Sequence, residues 1–282
     1  MTDRRTTPAR ADLAASFLEG QVKADRFVDP VDKQIARSAI WLRAKPSDDA
    51  PVDTQLLFGE VFAVLEEKDG WAWGFARNDG YVGYVRSEAL SDEVLLATHR
   101  VSALRTYVFP EPDLKCEPSQ LISLNARVSA GRRDGRYVEV IGTGWVPDAH
   151  ITPINASEPD FVAVAERFLG TPYLWGGKTS LGLDCSALVQ LALEAAGIPA
   201  PRDTDLQEVE LGGRWRHLEF DMPKRRGDLV FWKGHVGIML DGELLLHANA
   251  HHMATAMEPV TEAIERIEAS AGPVTSLFRR AR

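Results

Sequence analysis

Cysteine is scarce in this sequence: 282 residues hold two, Cys116 and Cys185. Two cysteines cannot build a disulfide framework, and this pair has no metal-ligand spacing. Basic runs are missing as well. A formal net charge of -9 excludes a polynucleotide or an anionic membrane surface as the main partner, because both need a basic face. No segment approaches the run of about 20 apolar residues that spans a bilayer. The opening "MTDRRTTPARADLAASFLEG" has charges but no apolar stretch of secretory length behind them. These absences lead to the expectation of a cytoplasmic protein with reduced thiols and neither nucleic acid nor membrane as partner. With 45% hydrophobic and 26% charged residues, the chain can bury the cores of two or three small domains.

Residues 1–30 are polar, with one amphipathic stretch, "ADLAASFLEGQVKADRF", expected as an arm or short helix packed on a domain. From 31 to 152 the signals are short strands and turns. "TQLLFGEVFAVLEE", "GWAWGFA" and "DGYVGYV" are β-branched and aromatic runs broken by turn residues such as Lys68-Asp69-Gly70. The same order recurs in weaker form. "LRAKPSDDAP" is echoed by "YVFPEPDLKCEP", "EEKDGWAWG" by "GRRDGRYVEV", and "VGYVRSEAL" by "TGWVPDAHI". Three ordered matches point to one duplicated all-β unit, residues 31–92 and 93–152, each a small barrel or sandwich.

Residues 153–160, rich in proline and small polar side chains, read as a linker. The pattern then changes. "EPDFVAVAERFLG" has a helical apolar face closed by Gly170, and "DCSALVQLALEAAG" is a second helix, apolar nearly all round, stopped by Gly197. "DLVFW", "HVGIML" and "LLLHANA" follow as strands. Helices first and an antiparallel sheet afterwards make residues 161–282 an α+β domain.

Asp184 is a good N-cap, which puts Cys185 in the first turn of a buried helix. Unpaired N–H groups and the helix dipole there favour a thiolate, and the same N–H groups can receive an oxyanion. The plainer reading is a small buried apolar residue. A base is needed for catalysis, and strand alternation decides which histidines share a face. If Leu240 pairs with Glu243, His235 and His247 face opposite ways. If Leu240 pairs with Leu244, through a three-residue loop with Gly242 in the left-handed region, His235 is the diagonal neighbour of His247 on one face. Gly234 and Gly237 then leave room for a substrate beside the base. His247, His251 and His252 also cluster, but no carboxylate or thiolate stands at usual ligand spacing, so no metal is expected. Cys116 is incidental.

In this order, "TPYLWGGKTSLGLDCSALVQ", "PRDTDLQ", "RRGDLVFW", "GHVGIML" and "LLHANA" resemble the NlpC-type cell-wall cysteine peptidases, over roughly residues 158 to 252. The duplicated unit upstream resembles two bacterial SH3-like barrels. The resemblance implies a papain-like α+β domain preceded by two all-β SH3-like barrels, with no cofactor. It also implies Cys185 as nucleophile, His235 as general base and acid, His247 as third residue, and the Tyr173 hydroxyl near the oxyanion site. Ala187 replaces the glycine of the usual Asp-Cys-Ser-Gly.

Members with this layout resemble γ-D-glutamyl-diamino acid endopeptidases of the dipeptidyl-peptidase VI type. By that resemblance the partner is a murein peptide, L-Ala-γ-D-Glu-diaminopimelate in type. Tyr81, Asp184 and Ser186 would bind its free amino end, and Thr204 would contact the peptide. Arg202 would hold a carboxylate or brace the loop. The competing readings are a thiol amidase or acyltransferase on the same scaffold, and a non-catalytic wall-peptide binding protein.

Overall fold

The computed structural model describes residues 3–281. The chain divides into two compact units, Met1–Ile154 and Asn155–Arg282.

In the first unit, a seven-stranded antiparallel sheet runs in the order Val52–Leu57, Ala39–Arg43, Val82–Arg86, Trp71–Ala76, Val61–Lys68, Val31–Ile35, Leu90–Ser91. The tightest turn joins Lys68 to Trp71 through Asp69 and Gly70, both with positive φ (51° and 79°). Asp-Gly suits such a two-residue hairpin because its backbone twist matches that of the strands. The core is an apolar cluster that includes Ile35, Leu42, Leu56, Phe62, Val64 and Val85.

The same elements return further along as shorter strands: His99–Val101, Arg105–Val108, Gln120–Ser123, Ala130–Asp134, Tyr137–Val140, Gly144–Pro147 and Ile151–Pro153. Even the 3-10 turn Ser87–Ala89, between the last two strands of the first barrel, has its counterpart in Asp148–His150. Val101, Val108, Ile122, Val138 and Val146, each 2% exposed or less, form this second core.

The amphipathic N-terminal stretch is not a helix. Only Ser16–Leu18 make a 3-10 turn, while Ala14–Ala15 pair in parallel with Phe27–Val28. Leu13 and Ala15 join Ala63, Leu65, Trp73, Phe75 and Val82 in a cluster on the outer face of the first barrel. Arg10 lies over the Trp73 ring at 4.2 Å and donates to Glu66 at 2.6 Å and to the Tyr84 hydroxyl at 2.9 Å. Sheet pairing and this aromatic contact override a helical period too short to hold alone.

The second unit opens with the short helix Phe161–Glu166, capped by Asp160, whose side chain accepts from Val162 N–H at 2.9 Å. The helix Cys185–Ala195 follows, with ten of its eleven residues buried. Leu188, Leu191 and Leu193 are each at most 1% exposed, and burial of such side chains stabilises by about 1.5–3 kcal/mol apiece. A third helix spans Thr204–Gly212.

The six-stranded antiparallel sheet has the order Arg216–His217, Val274–Arg279, Leu229–Trp232, His235–Met239, Leu244–Asn249, Ala254–Pro259. The helix Val260–Ala271 closes one face, its Val260, Ala263 and Ile267 packing with Val230, Trp232, Met239, Leu245 and Leu277. This helix and the strand after it were not singled out in the sequence. Among the described residues, no helix is long and apolar enough to cross a membrane.

Candidate active site

Asp184 caps the Cys185 helix: its Oδ1 accepts from Ala187 N–H at 2.9 Å. That hydrogen bond fixes the first turn, which places Cys185 at the helix N-terminus, buried with 6% of its surface exposed. Its Sγ lies 3.8 Å from Thr204 Oγ1 and receives the backbone N–H of Val236, the residue next to His235. The thiol therefore sits at the start of the histidine strand.

The histidines take the three-residue register. Ile238 pairs with Leu246 and Met239 with Leu245, and Leu240 N–H donates to Leu244 C=O at 2.8 Å. His235 and His247 are thus diagonal neighbours, with His235 Nε2 2.8 Å from His247 Nδ1. The loop achieves this by another device than the one expected. Gly242 does not have a positive φ; instead Asp241 Oδ1 accepts from Glu243 N–H at 2.7 Å and Leu244 N–H at 2.8 Å. Gly237 leaves no space for a substrate either. A Cβ built on it would stand 2.8 Å from Leu245 Cδ1, so its missing side chain makes room for core packing. Gly234, a turn residue at φ 76°, does face open space.

The next strand adds a residue that the sequence reading missed. Leu245 pairs with Glu258 and His247 with Ala256, which puts Glu258 diagonal to His247 on the same face. His247 Nε2 lies 2.7 Å from Glu258 Oε1, and Arg266 from the following helix donates to that same oxygen. His235, His247 and Glu258 form a polar diagonal across three neighbouring strands. His247 is fully buried. The one signal in the sequence was the alternation of "ATAMEP", where a carboxylate shares a face with two alanines.

That carboxylate also removes the ground on which a metal was set aside, since His247, His252 and Glu258 bring possible ligand atoms within 4.8 Å of one another. Both ring nitrogens of His247 are engaged in hydrogen bonds, and His252 Nδ1 lies 3.0 Å from Asn249 Oδ1. His247 and Glu258 are thus bonded to each other, while His252 is bonded to Asn249.

Asp184 is no unpaired anion awaiting an ammonium. Arg202, 1% exposed, holds it bidentately, Nη1 to Oδ1 at 2.9 Å and Nη2 to Oδ2 at 2.7 Å. Arg202 also donates to Ser186 Oγ at 2.8 Å and Gly177 C=O at 3.2 Å. Ser186 Oγ in turn donates to Asp184 Oδ1 at 3.2 Å, and Gly176 N–H to Oδ2 at 2.9 Å. Arg202 thus holds the carboxylate of Asp184 and, through Gly177, ties the glycine-rich loop to the helix cap. Thr204 begins its own helix, and its hydroxyl contacts the thiol. Tyr173 is half-buried beside the same residues. Tyr81 lies in the other unit, 3% exposed and part of the first barrel's core cluster.

Electrostatics follow from burial. Burial pushes the Cys185 thiol up to about 11, with the Asp184 charge adding to it and the donors Thr204 and Val236 opposing. Burial pulls His235 down to about 4, helped by the Arg266 cation. His247 is lowered further, by burial first and then by His235, Arg266, His252 and His251. The Tyr173 phenol is raised by burial and then by the charges of Cys185 and Asp184. Both shifts favour the neutral thiol and the neutral imidazole, against the thiolate that the helix N-terminus alone suggests. Removal from water outweighs the dipole.

A buried thiol at a helix N-terminus beside a hydrogen-bonded histidine pair is equipped for nucleophilic catalysis, and comparison with known proteins agrees. Residues 170–266 match the NlpC/P60 family, and residues 42–90 match the bacterial dipeptidyl-peptidase SH3 domain. Dipeptidyl-peptidase 6 of Lysinibacillus sphaericus is 26% identical over 234 residues, covering 74% of this chain and 84% of that protein. The γ-D-glutamyl-L-lysine dipeptidyl-peptidase of Bacillus subtilis is 28% identical over 237 residues, covering 77% and 78%. The crystal structure of an NlpC/P60 family protein from Bacillus cereus superposes with a TM-score of 0.73 at 18% identity, over 89% of this chain and 100% of that one. The α+β unit therefore has the papain-like fold of those peptidases, behind an all-β SH3-like region. The chain is a hydrolase of the peptidase class, built from an SH3 domain of the bacterial dipeptidyl-peptidase type and an NlpC/P60 domain.

Proposed function

We propose that this peptidase acts on peptidoglycan peptides, cleaving the bond from the γ-carboxyl of D-Glu to a diamino acid such as diaminopimelate. The substrate carries a free N-terminal L-Ala, and the setting is turnover of released murein peptides in the cytoplasm. The observation that carries the catalytic part is the thiol of Cys185 against the Val236 amide, with His235 bonded to His247 at 2.8 Å. The names of the relatives over three quarters of the chain support the substrate class. Two free cysteines, Cys116 and Cys185, fit a reducing compartment.

The neutral pair sets the order of events. His235 takes the thiol proton as sulfur attacks the γ-carbonyl carbon, forming the C–S bond and an oxyanion. The Cys185 backbone N–H and the Tyr173 hydroxyl supply donors for that oxygen. His235 then gives its proton to the leaving amine as the C–N bond breaks, and the diamino acid departs. Water, deprotonated by His235, hydrolyses the thioester and releases L-Ala-γ-D-Glu with the thiol restored.

Amino-end recognition draws on Asp184, whose charge Arg202 already shares, so an ammonium is attracted less strongly than by a lone carboxylate. The test is mass spectrometry of products from the free tripeptide and its N-acetylated form. Release of L-Ala-γ-D-Glu from the free amine alone is expected; equal cleavage of both would refute the amino-end requirement.

A further inference from the structure

We propose that Glu258, held by Arg266, is a positioning residue that fixes the tautomers of His247 and His235, so that Nδ1 of His235 is free to take the Cys185 proton. The proposal deepens the catalytic reading above and rests on it.

A neutral imidazole has one N–H and one lone pair, and the bond made at one nitrogen decides the other. His235 and His247 face each other through Nε2 and Nδ1 at 2.8 Å. Two proton arrangements satisfy that contact. In the first, His247 Nδ1–H donates to His235 Nε2. His235 then carries its own proton on Nδ1 and cannot serve as a base from that nitrogen. In the second, His235 Nε2–H donates to His247 Nδ1, which leaves His235 Nδ1 with a lone pair. The choice is made at the far end of the diagonal. An ionised carboxylate only accepts, so Glu258 Oε1, 2.7 Å from His247 Nε2, requires the proton there and selects the second arrangement.

Arg266 has two effects. Its guanidinium bonds the same carboxylate oxygen, which keeps that oxygen an acceptor. Its positive charge also opposes a second proton on either histidine, so the diagonal stays neutral although it ends on a carboxylate. The charged or titratable groups facing His247 are His235 and Glu258 on its neighbouring strands, Arg266 from the helix, and His251 and His252 from the loop. His235 faces His247 and Arg266, and the Cys185 thiol meets the backbone N–H of the next residue, Val236.

The test reads the thiol directly and needs no peptide substrate, so a wrong substrate leaves it intact. In the full chain carrying Cys116→Ser, iodoacetamide alkylation of Cys185 is followed against pH. Glu258→Gln removes a negative charge and can donate as well as accept. Its plateau rate is expected to fall by about 100-fold, the lower end of what general base assistance supplies, and its acid limb to move to lower pH. Arg266→Met removes a positive charge, so its acid limb is expected to move to higher pH. Packing damage alone would not move the two limbs in opposite directions. If both limbs stay in place, or move the same way, the proposal is overturned. Histidine 15N spectra of the chain with unaltered site residues give an answer even if Glu258→Gln does not fold. They are expected to show Nε2–H on both His235 and His247, and Nδ1–H on either one overturns the proposal.

Discussion

Replacing Arg202 with methionine keeps the length of the side chain and removes every hydrogen bond that it makes to the helix cap. The guanidinium is 1% exposed and donates to both oxygens of Asp184, to Ser186 Oγ and to Gly177 C=O. An exposed pair of this kind would be worth about 0–1 kcal/mol. Breaking a buried one by removing a single partner costs about 3–5 kcal/mol, because the other charge is left in the interior. Asp184 would keep the Gly176 and Ala187 N–H groups, which places the expected loss near the lower end, about 3 kcal/mol.

For a unit of this size, 1 kcal/mol shifts Tm by about 4 °C. Calorimetry should therefore find the catalytic unit melting roughly 12 °C lower. Asp184→Asn in the same chain removes the stranded charge, so the double variant should melt above Arg202→Met alone. Arg202 also lowers the Cys185 thiol, so alkylation at neutral pH should be slower in Arg202→Met. A Tm shift under about 4 °C, the size of an exposed pair's contribution, would refute the reasoning.

Three further outcomes follow from the same geometry. His235 titrates near 4 and cannot accept the thiol proton once protonated, so the acid limb of kcat/KM should lie near pH 4; a limb at pH 6.5 would contradict the burial argument. His235 and His247 have folded-state values below their unfolded value of about 6.5. The unfolded chain then binds more protons in that window. Stability is full above pH of about 6.5 and falls as pH drops toward the folded values, by up to about 1.4 kcal/mol per pH unit for each histidine; urea midpoints from pH 7 to 5 measure it. Gly237→Ala pushes a methyl within 2.8 Å of Leu245 Cδ1, which should cost about 1–3 kcal/mol, and the same substitution should cost less when made in a Leu245→Ala background.

The helix–strand order and the capped cysteine were legible because they rest on local rules: Asp184 before an apolar helix, Gly197 after it, and alternation along "HVGIML" and "LLLHANA". The register of the two histidines was narrowed to two choices, and backbone hydrogen bonding at Leu240 and Leu244 decides between them. What could not be read depends on contacts distant in sequence. Arg202 meets Asp184 only after the chain folds back over the helix cap, so the carboxylate looked free in sequence. Glu258 reaches His247 through a strand pairing set by the 250–253 loop, and Arg266 through a helix that gave no distinct signal before Val260. Tyr81 follows a turn, where exposure is the usual expectation, yet the barrel buries it. The N-terminal stretch has a helical period but gains more from pairing Ala14–Ala15 with Phe27–Val28 and from covering Trp73.

In the proposed reaction the Cys185 thiol, with His235 as base, breaks the γ-D-glutamyl bond. Mass spectrometry of L-Ala-γ-D-Glu-diaminopimelate incubated with the intact chain and with Cys185→Ala tests it most directly. L-Ala-γ-D-Glu and free diaminopimelate are expected from the intact chain, and no turnover by the variant. Cleavage at another bond, or unchanged turnover by Cys185→Ala, would contradict it.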